Sequence, residues 1–315
     1  MAGPDTTPLQ LPGNGCRDCP TWTVQVDALM LWQGGIPSRP LFLDAATRAT
    51  VIDANDLQTP VTIDPRYAIL YHVDDCRSLE VNYFNLWGFQ GEDVAPLLTT
   101  GNYEMNDLAG LAFRDLVRAE AVSQASIKSL EFNLRRRGWG GIEWLTGFRW
   151  VEWNQQLLLV DDFVENGVAG SEAVRVDTVN NLYGWQWGGD MMLWNRGDRL
   201  RVNGVAKAGV YYNHQAAQRT AYLTDRPSAK SQAVGDANDA VSFVGETGVM
   251  ASYSLTNWLA VRLGYTFFWL GGVATPADQL DRDRTFIRTD TPEARVSPFG
   301  SVFLQGVQTG VEARW

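Results

Sequence analysis

The chain has no apolar run approaching the roughly 18 consecutive residues that a membrane-spanning helix needs. It has only two histidines and three cysteines, and it is short of positive charge: 26 Lys and Arg stand against 36 Asp and Glu, a net charge of -10. The first absence excludes helical membrane proteins. The scarcity of histidine leaves little for zinc sites or acid–base couples, and three cysteines are too few for a disulfide framework. The acidic balance excludes nucleic acid, whose phosphates demand a basic surface. What the chain does have is 13 Trp and 10 Tyr, rings with an apolar body and a polar tip that collect where hydrocarbon meets water. A membrane protein without spanning helices has to be a closed barrel, because only closure pairs every backbone group. Composition alone leaves a soluble β-sandwich in competition with it.

The C-terminus tips the balance. In SVFLQGVQTGVEARW one face carries Val307, Thr309, Val311, Ala313 and Trp315, and the other Gly306, Gln308, Gly310, Glu312 and Arg314. Alternation with period two is a strand. A last strand ending on an aromatic residue is what the assembly machinery of bacterial outer-membrane barrels reads. Gly310, Ala313 and Trp315 are the candidate signal. The same alternation predicts ten strands, near 22–33, 66–73, 77–90, 124–136, 141–155, 175–194, 199–213, 241–255, 258–271 and 300–315. Short turns at 74–76, 137–140, 195–198 and 256–257 alternate with long loops near 34–65, 91–123, 156–174, 214–240 and 272–299. A soluble sandwich has no reason to keep its long connections at one end. The expected fold is therefore all-β: a transmembrane antiparallel up-and-down barrel of about ten strands, with short periplasmic turns, long extracellular loops and both termini periplasmic. Residues 1–20, rich in Pro and Gly, read as a periplasmic tail and a mature or re-engineered N-terminus, and 21–315 as the barrel.

These segments also resemble a known family, the beta-barrel porins numbered seven, which abound in planctomycete bacteria. The resemblance runs from Trp22 to Trp315. It is carried by Leu130-Glu131-Phe132-Asn133-Leu134-Arg135, by Thr146-Gly147-Phe148-Arg149-Trp150 and by Thr178-Val179-Asn180-Asn181-Leu182-Tyr183-Gly184-Trp185-Gln186-Trp187-Gly188. Lys207-Ala208-Gly209, Arg262 to Trp269, Gly272 to Leu280 and Gly310 to Trp315 complete it. Trp150 stands where the family has Tyr. The resemblance implies an outer-membrane barrel and no demonstrated activity.

Strand parity sends Glu131, Asn133, Arg135, Glu143, Arg149, Asn180, Gln186, Asn203, Lys207, Glu246, Arg262, Gln308 and Glu312 into the lumen. Folding the hairpins places Glu131 across from Arg149, and Gln186 across from Lys207, within reach of charge-assisted bonds. Trp185, Trp187, Trp258, Trp269 and Trp315 face outward as aromatic-girdle or lipid-facing residues. A barrel of this size can fill its interior with side chains, and buried charges must then be paired. The charges are mixed in sign, so the expected lumen is narrow and polar, a packed plug or a path for small solutes and ions.

An enzyme is not expected. Of the two histidines, His72 lies beside a periplasmic turn, whereas His214 sits at the external rim near Asp225, Asp236 and Asp239. No nucleophile spacing, phosphate-cradling loop or zinc ligand set is present, and no cofactor is expected. Asp236-Ala237-Asn238-Asp239 and Asp281-Arg282-Asp283 offer oxygen donors for Ca²⁺ but read better as ordinary turns. Cys16, Cys19 and Cys76 all fall on the periplasmic side, where thiols oxidise. Cys76 is expected to bond Cys16 or Cys19, or those two to bond each other.

Two functions follow from the sequence: a porin-like or structural barrel, and a surface-binding or adhesin-type barrel with a closed lumen that acts through its loops. Outer-membrane lipid and the barrel-assembly machinery are the expected partners, and nucleic acid is not one. The pattern does not choose between a lone barrel, a homo-oligomer and association with a surface layer.

Overall fold

A computed structural model describes residues 20–34, 36–44, 47–57, 59–95, 103–105, 115–138, 141–165, 168–196, 199–225, 228–280 and 296–315. Thirteen strands follow in chain order: β1 (Trp22–Gly34), β2 (Pro40–Asp44), β3 (Thr50–Asp53), β4 (Thr62–Asp74), β5 (Arg77–Ala95), β6 (Tyr103–Met105), β7 (Asp115–Arg137), β8 (Ile142–Glu165), β9 (Val168–Arg196), β10 (Leu200–Asp225), β11 (Ser228–Ser254), β12 (Leu259–Val273) and β13 (Gly300–Arg314). One short helix, α1 (Pro276–Gln279), follows β12. Ten of the strands close into an antiparallel barrel in which each pairs with its neighbour in sequence, β1 sealing the ring against both β4 and β13. The expected ten-stranded barrel is what the chain forms. The remaining three, β2, β3 and β6, make a small separate sheet.

The expected loops at 156–174 and 214–240 are not loops. β8 and β9 stay paired up to Glu165 and Val168, and β10 and β11 up to Asp225 and Ser228. The strands from β7 to β11 are therefore 23 to 29 residues long, against 13 to 15 for β12, β13, β1 and β4. A strand crosses a bilayer in roughly 9–11 residues. One side of the barrel thus rises as a tall wall well beyond any belt that lipid can cover.

The physical reason lies in the faces. Up to the ladder row Leu130–Trp150–Tyr183–Tyr212–Val241 the outward residues are mainly apolar. In the next outward row they are Lys128, Glu152, Asn181, His214 and Asp239. The inner face changes in the opposite sense. Below the switch it carries Glu131, Arg149 and Gln186, and above it Val151, Trp153, Leu157, Leu159 and Phe163, all buried. Below, the sheet is built for lipid outside and charge inside. Above, it is built like a water-soluble protein.

The inner apolar residues form two stacked layers. The lower joins Leu29, Phe84, Phe89, Ile127, Trp153, Tyr211 and Phe268. The upper joins Leu157, Leu159, Phe163 and Val176 of the wall to Leu41, Phe42 and Ile52 of the small sheet and Leu280 beyond α1. The small sheet and α1 region thereby cap the loop end of the barrel. The segment leading into α1 is drawn inward by wall side chains. Asn180 donates to the Ala274 carbonyl at 2.9 Å and accepts from the Ala274 amide at 2.7 Å, while Gln215 and Ser242 donate to the Gly272 carbonyl at 2.8 and 2.6 Å.

Candidate functional site: the lumenal charge layer

Below the lower apolar layer, β4, β5 and β7 to β11 send their longest polar side chains to one level. Glu131 and Arg149 are direct cross-strand partners, 3.6 Å apart. Lys207 lies 2.9 Å from Glu131 and 3.6 Å from Glu246. Glu246 also meets Arg149 at 2.9 Å and Arg66 at 2.8 Å. Gln186 donates to Glu131 and to Asn133, both at 2.8 Å, and Asn133 donates to Glu131 at 3.0 Å and to Glu80 at 2.8 Å. Arg135 bridges Glu80, Glu143 at 3.2 Å and Asp190 at 3.4 Å, and Asn203 donates to Asp190 at 2.8 Å.

The centre is closed off from bulk solvent, with Glu131 0% and Arg149 1% exposed. An isolated ion there would cost several kcal/mol, so each charge survives only because opposite charges surround it. The lower apolar layer acts as a roof: Phe268 lies 6.0 Å from the Arg66 guanidinium and 5.7 Å from that of Arg149, and Phe84 lies 5.6 Å from Arg66. Space for these side chains comes from small inward residues. A Cβ on Gly147 would overlap the Phe132 carbonyl oxygen and crowd Asn133, and one on Gly310 would overlap Asp27.

Toward the turn end the lumen opens into a blind vestibule of about 440 Å³, floored by Arg66, Glu80, Lys207 and Glu246. On its wall Arg262 stands 3.6 Å from Asp27 and 3.8 Å from Glu312. Gln308 is a further lining residue, and Gln25 donates to Glu312 at 2.9 Å.

The expected Gln186–Lys207 pairing is off by two. Gln186 faces Gly209 and Lys207 faces Gly188, because the turn pairs Arg196 with Leu200 and the bulge at Leu193 takes back only part of that shift. The two still meet through Glu131. Arg66, Asn82, Glu80 and Asp27 belong to the interior but were not singled out from the sequence. Their signal was there: Arg66 alternates with the exposed Tyr67, Ile69 and Tyr71, and Glu80 and Asn82 with Leu79, Val81 and Tyr83.

Trp185, Trp187, Trp258, Trp269 and Trp315 are 44 to 62% exposed and point away from the lumen. Ala313 shares their face, and Gly310 faces inward between Asp27 and Arg262. Of the three acids expected near His214, Asp239 is the one it meets. The histidine lies on the outer face of the wall, its Nδ1 2.8 Å from Asp239, whose carboxyl is held below its usual range by the His214 and Tyr212 hydrogen bonds. Asp236 approaches the Val296 amide instead, so the acids of 236–239 diverge along one strand and form no cluster. Residues 281–283 lie outside the described residues. His72 is in the vestibule, between Thr23 and Ser78. Cys76 is exposed in the β4–β5 turn, whereas Cys16 and Cys19, like the rest of 1–19, lie outside the described residues. Among the described residues no group of three or more His, Cys, Asp or Glu could hold a metal ion.

A closed antiparallel barrel with lipid-type and water-type zones on one wall and paired charges within is the build of a porin-like outer-membrane barrel. The family model described as "Putative beta barrel porin-7" matches residues 111–315, and the chain belongs to that family. Among solved structures it is similar to the outer membrane protease OmpT from Escherichia coli, at 10% identity over 93% of this chain and 96% of that one, with a TM-score of 0.51. It is more distantly similar to Acinetobacter baumannii CarO, at 11% identity over 94% and 98% of the two chains and a TM-score of 0.30. A Pseudomonas aeruginosa FadL homologue gives 9% over 93% and 89%, with a TM-score of 0.32. No curated protein matches. The OmpT likeness shows the fold and nothing about activity.

Proposed function

We propose that the protein is a shut outer-membrane barrel that serves as a structural, surface-presenting element, not an open pore. One observation carries this reading. The cross-section at Arg66, Glu131, Arg149, Lys207 and Glu246 is filled by mutually paired side chains and roofed by Phe84 and Phe268. A conducting lumen needs a continuous water column, and here side chains occupy it.

In this reading the hairpin turns and the strand ends at Trp22 and Trp315 face the periplasm, and the wall with its cap faces outside. The outward tryptophans anchor the barrel at the two lipid–water boundaries. The C-terminal residues Gly310, Ala313 and Trp315 engage the assembly machinery, and the wall offers itself to a surface partner. No catalysis is proposed, since the His214–Asp239 couple stands on an open outer surface. The test is single-channel recording of the purified protein in planar bilayers. Silence is expected, and steady open steps from the wild-type chain would overturn the reading.

A second reading, a narrow path for small ions, is favoured by the vestibule that reaches the charge layer from the turn end. It requires Lys207 to leave Glu131 and Glu246. If so, Lys207→Ala changes the current at fixed voltage, whereas a structural plug stays silent in both proteins.

A further inference from the structure

The apolar belt is not equally tall around the barrel. On β10 the outward residues from Leu200 to Tyr212 are apolar or small over 13 residues, and on β11 those from Val241 to Tyr253 do the same apart from Thr247. On β5 and β7 the belt shrinks to three ladder rows, Leu79–Leu134, Val81–Phe132 and Tyr83–Leu130. Five of those six side chains are 38 to 51% exposed. Immediately toward the turn end, Arg77 and Arg136 are direct cross-strand partners on the outer surface. Immediately toward the loop end come Asn85 and Lys128.

The dimensions decide what this means. Five residues of strand rise about 17 Å, or about 13 Å along the membrane normal at a usual tilt. A normal barrel belt is about 25 Å tall. A full-thickness bilayer against this seam would bury Arg77 and Arg136, or Lys128, in hydrocarbon. A bilayer meeting too short a belt adapts by thinning.

The charges at the turn end favour lipid headgroups. Like charges directly opposite each other repel. Arg77 is held by Asp74 at 2.6 Å, while Arg136 has no carboxylate partner among the described residues. The acids near it are Asp74 and Asp75 of the adjoining turn, which share a surface hollow with Arg77 and Arg136. At the loop end Lys128 is bound to Glu152 at 2.8 Å, with its ammonium 5.1 Å from the Trp87 ring, an arrangement suited to a lipid–water boundary.

We infer that the β5–β7 seam thins the bilayer locally, with anionic headgroups drawn to Arg136 and Arg77 at the turn end. The occupant of the seam is lipid. The proposal needs the barrel to span a bilayer and is independent of whether the lumen conducts.

The experiment uses full-length chain with Cys16, Cys19 and Cys76 replaced by Ser, spin-labelled singly at Phe132→Cys in the short belt or Ala206→Cys midway along the tall one. Each is reconstituted in phosphatidylcholine–phosphatidylglycerol vesicles. Depth is read from the accessibility of each label to oxygen and to a water-soluble nickel complex, and folding is checked by heat-modifiable gel mobility. Leu134→Cys replaces Phe132→Cys if the latter does not fold. The label at 132 should sit at less than half the depth of the label at 206, and adding Arg136→Leu with Lys128→Leu should deepen it. Equal depths overturn the proposal. So does a label at 132 shielded from oxygen and nickel alike, which would put a second copy on the seam. If the label at 206 meets no lipid either, the membrane-spanning reading fails, which is a separate result.

Discussion

Glu131 is the residue on which the interior turns, since Arg149, Lys207, Gln186 and Asn133 all address its carboxylate. Removing it leaves three buried cations, Arg66, Arg149 and Lys207, to share the single carboxylate of Glu246. Breaking a buried pair from one side costs about 3–5 kcal/mol, so Glu131→Ala should lower the urea midpoint of the detergent-solubilised barrel by that equivalent. Glycines give a cleaner contrast. Gly147→Val should abolish the compact gel band, because no side chain fits beneath the Phe132 carbonyl. Gly245→Ala should leave it intact, since its nearest neighbour, an atom of Trp269, is 3.7 Å away. Both substitutions touch strand interiors, and only the inward one meets backbone.

At the scale of elements, the wall obeys opposite rules above and below one row of its ladder. Leu159→Asp would bury an unpaired carboxylate among Leu157, Phe163 and Val174. Limited proteolysis should then cut the upper wall while the belt half stays protected. A leucine replacing the partly exposed Asn154 gives up one bond to Glu152 and should leave the upper wall uncut. The strap into α1 has its own test: Asn180→Ala removes two bonds to Ala274, and a new cleavage site between 272 and 280 is the expected outcome. This is also where sequence reading ran out. Alternation with apolar residues outward was legible wherever lipid is the solvent, so all ten barrel strands and the Glu131–Arg149 pair could be read. Above the switch the alternation persists with its sense reversed. A template for lipid-facing strands takes Gln156 to Asp162 for a loop, although the backbone continues as sheet. The small capping sheet was hidden for another reason: β3 and β6 are only 4 and 3 residues long, too short for periodicity to register. The β9–β10 register was missed because the turn pairs Arg196 with Leu200, which composition does not reveal, and the Leu193 bulge takes back only part of that shift.

For the whole molecule, the outward indoles predict strong quenching of tryptophan fluorescence by brominated lipid. Among the described residues Trp153 alone is a fully buried indole, 0% exposed within the lumen, and should resist, so Trp153→Phe should remove most of its unquenched signal. The net charge of -10 does not disturb the interior, where cations and carboxylates nearly balance.

The reversal of polarity along β7 to β11 has a consequence for biogenesis. In the proposed orientation the wall end of these strands has to cross the bilayer, where side chains such as Leu159, Phe163 and Val176 have no finished interior to enter, and Lys128, Glu152 and Asp239 have no water. The upper wall can mature only after it has emerged, when the small sheet and the α1 region arrive to be packed. The chain therefore completes its folding twice, once against hydrocarbon and once in water.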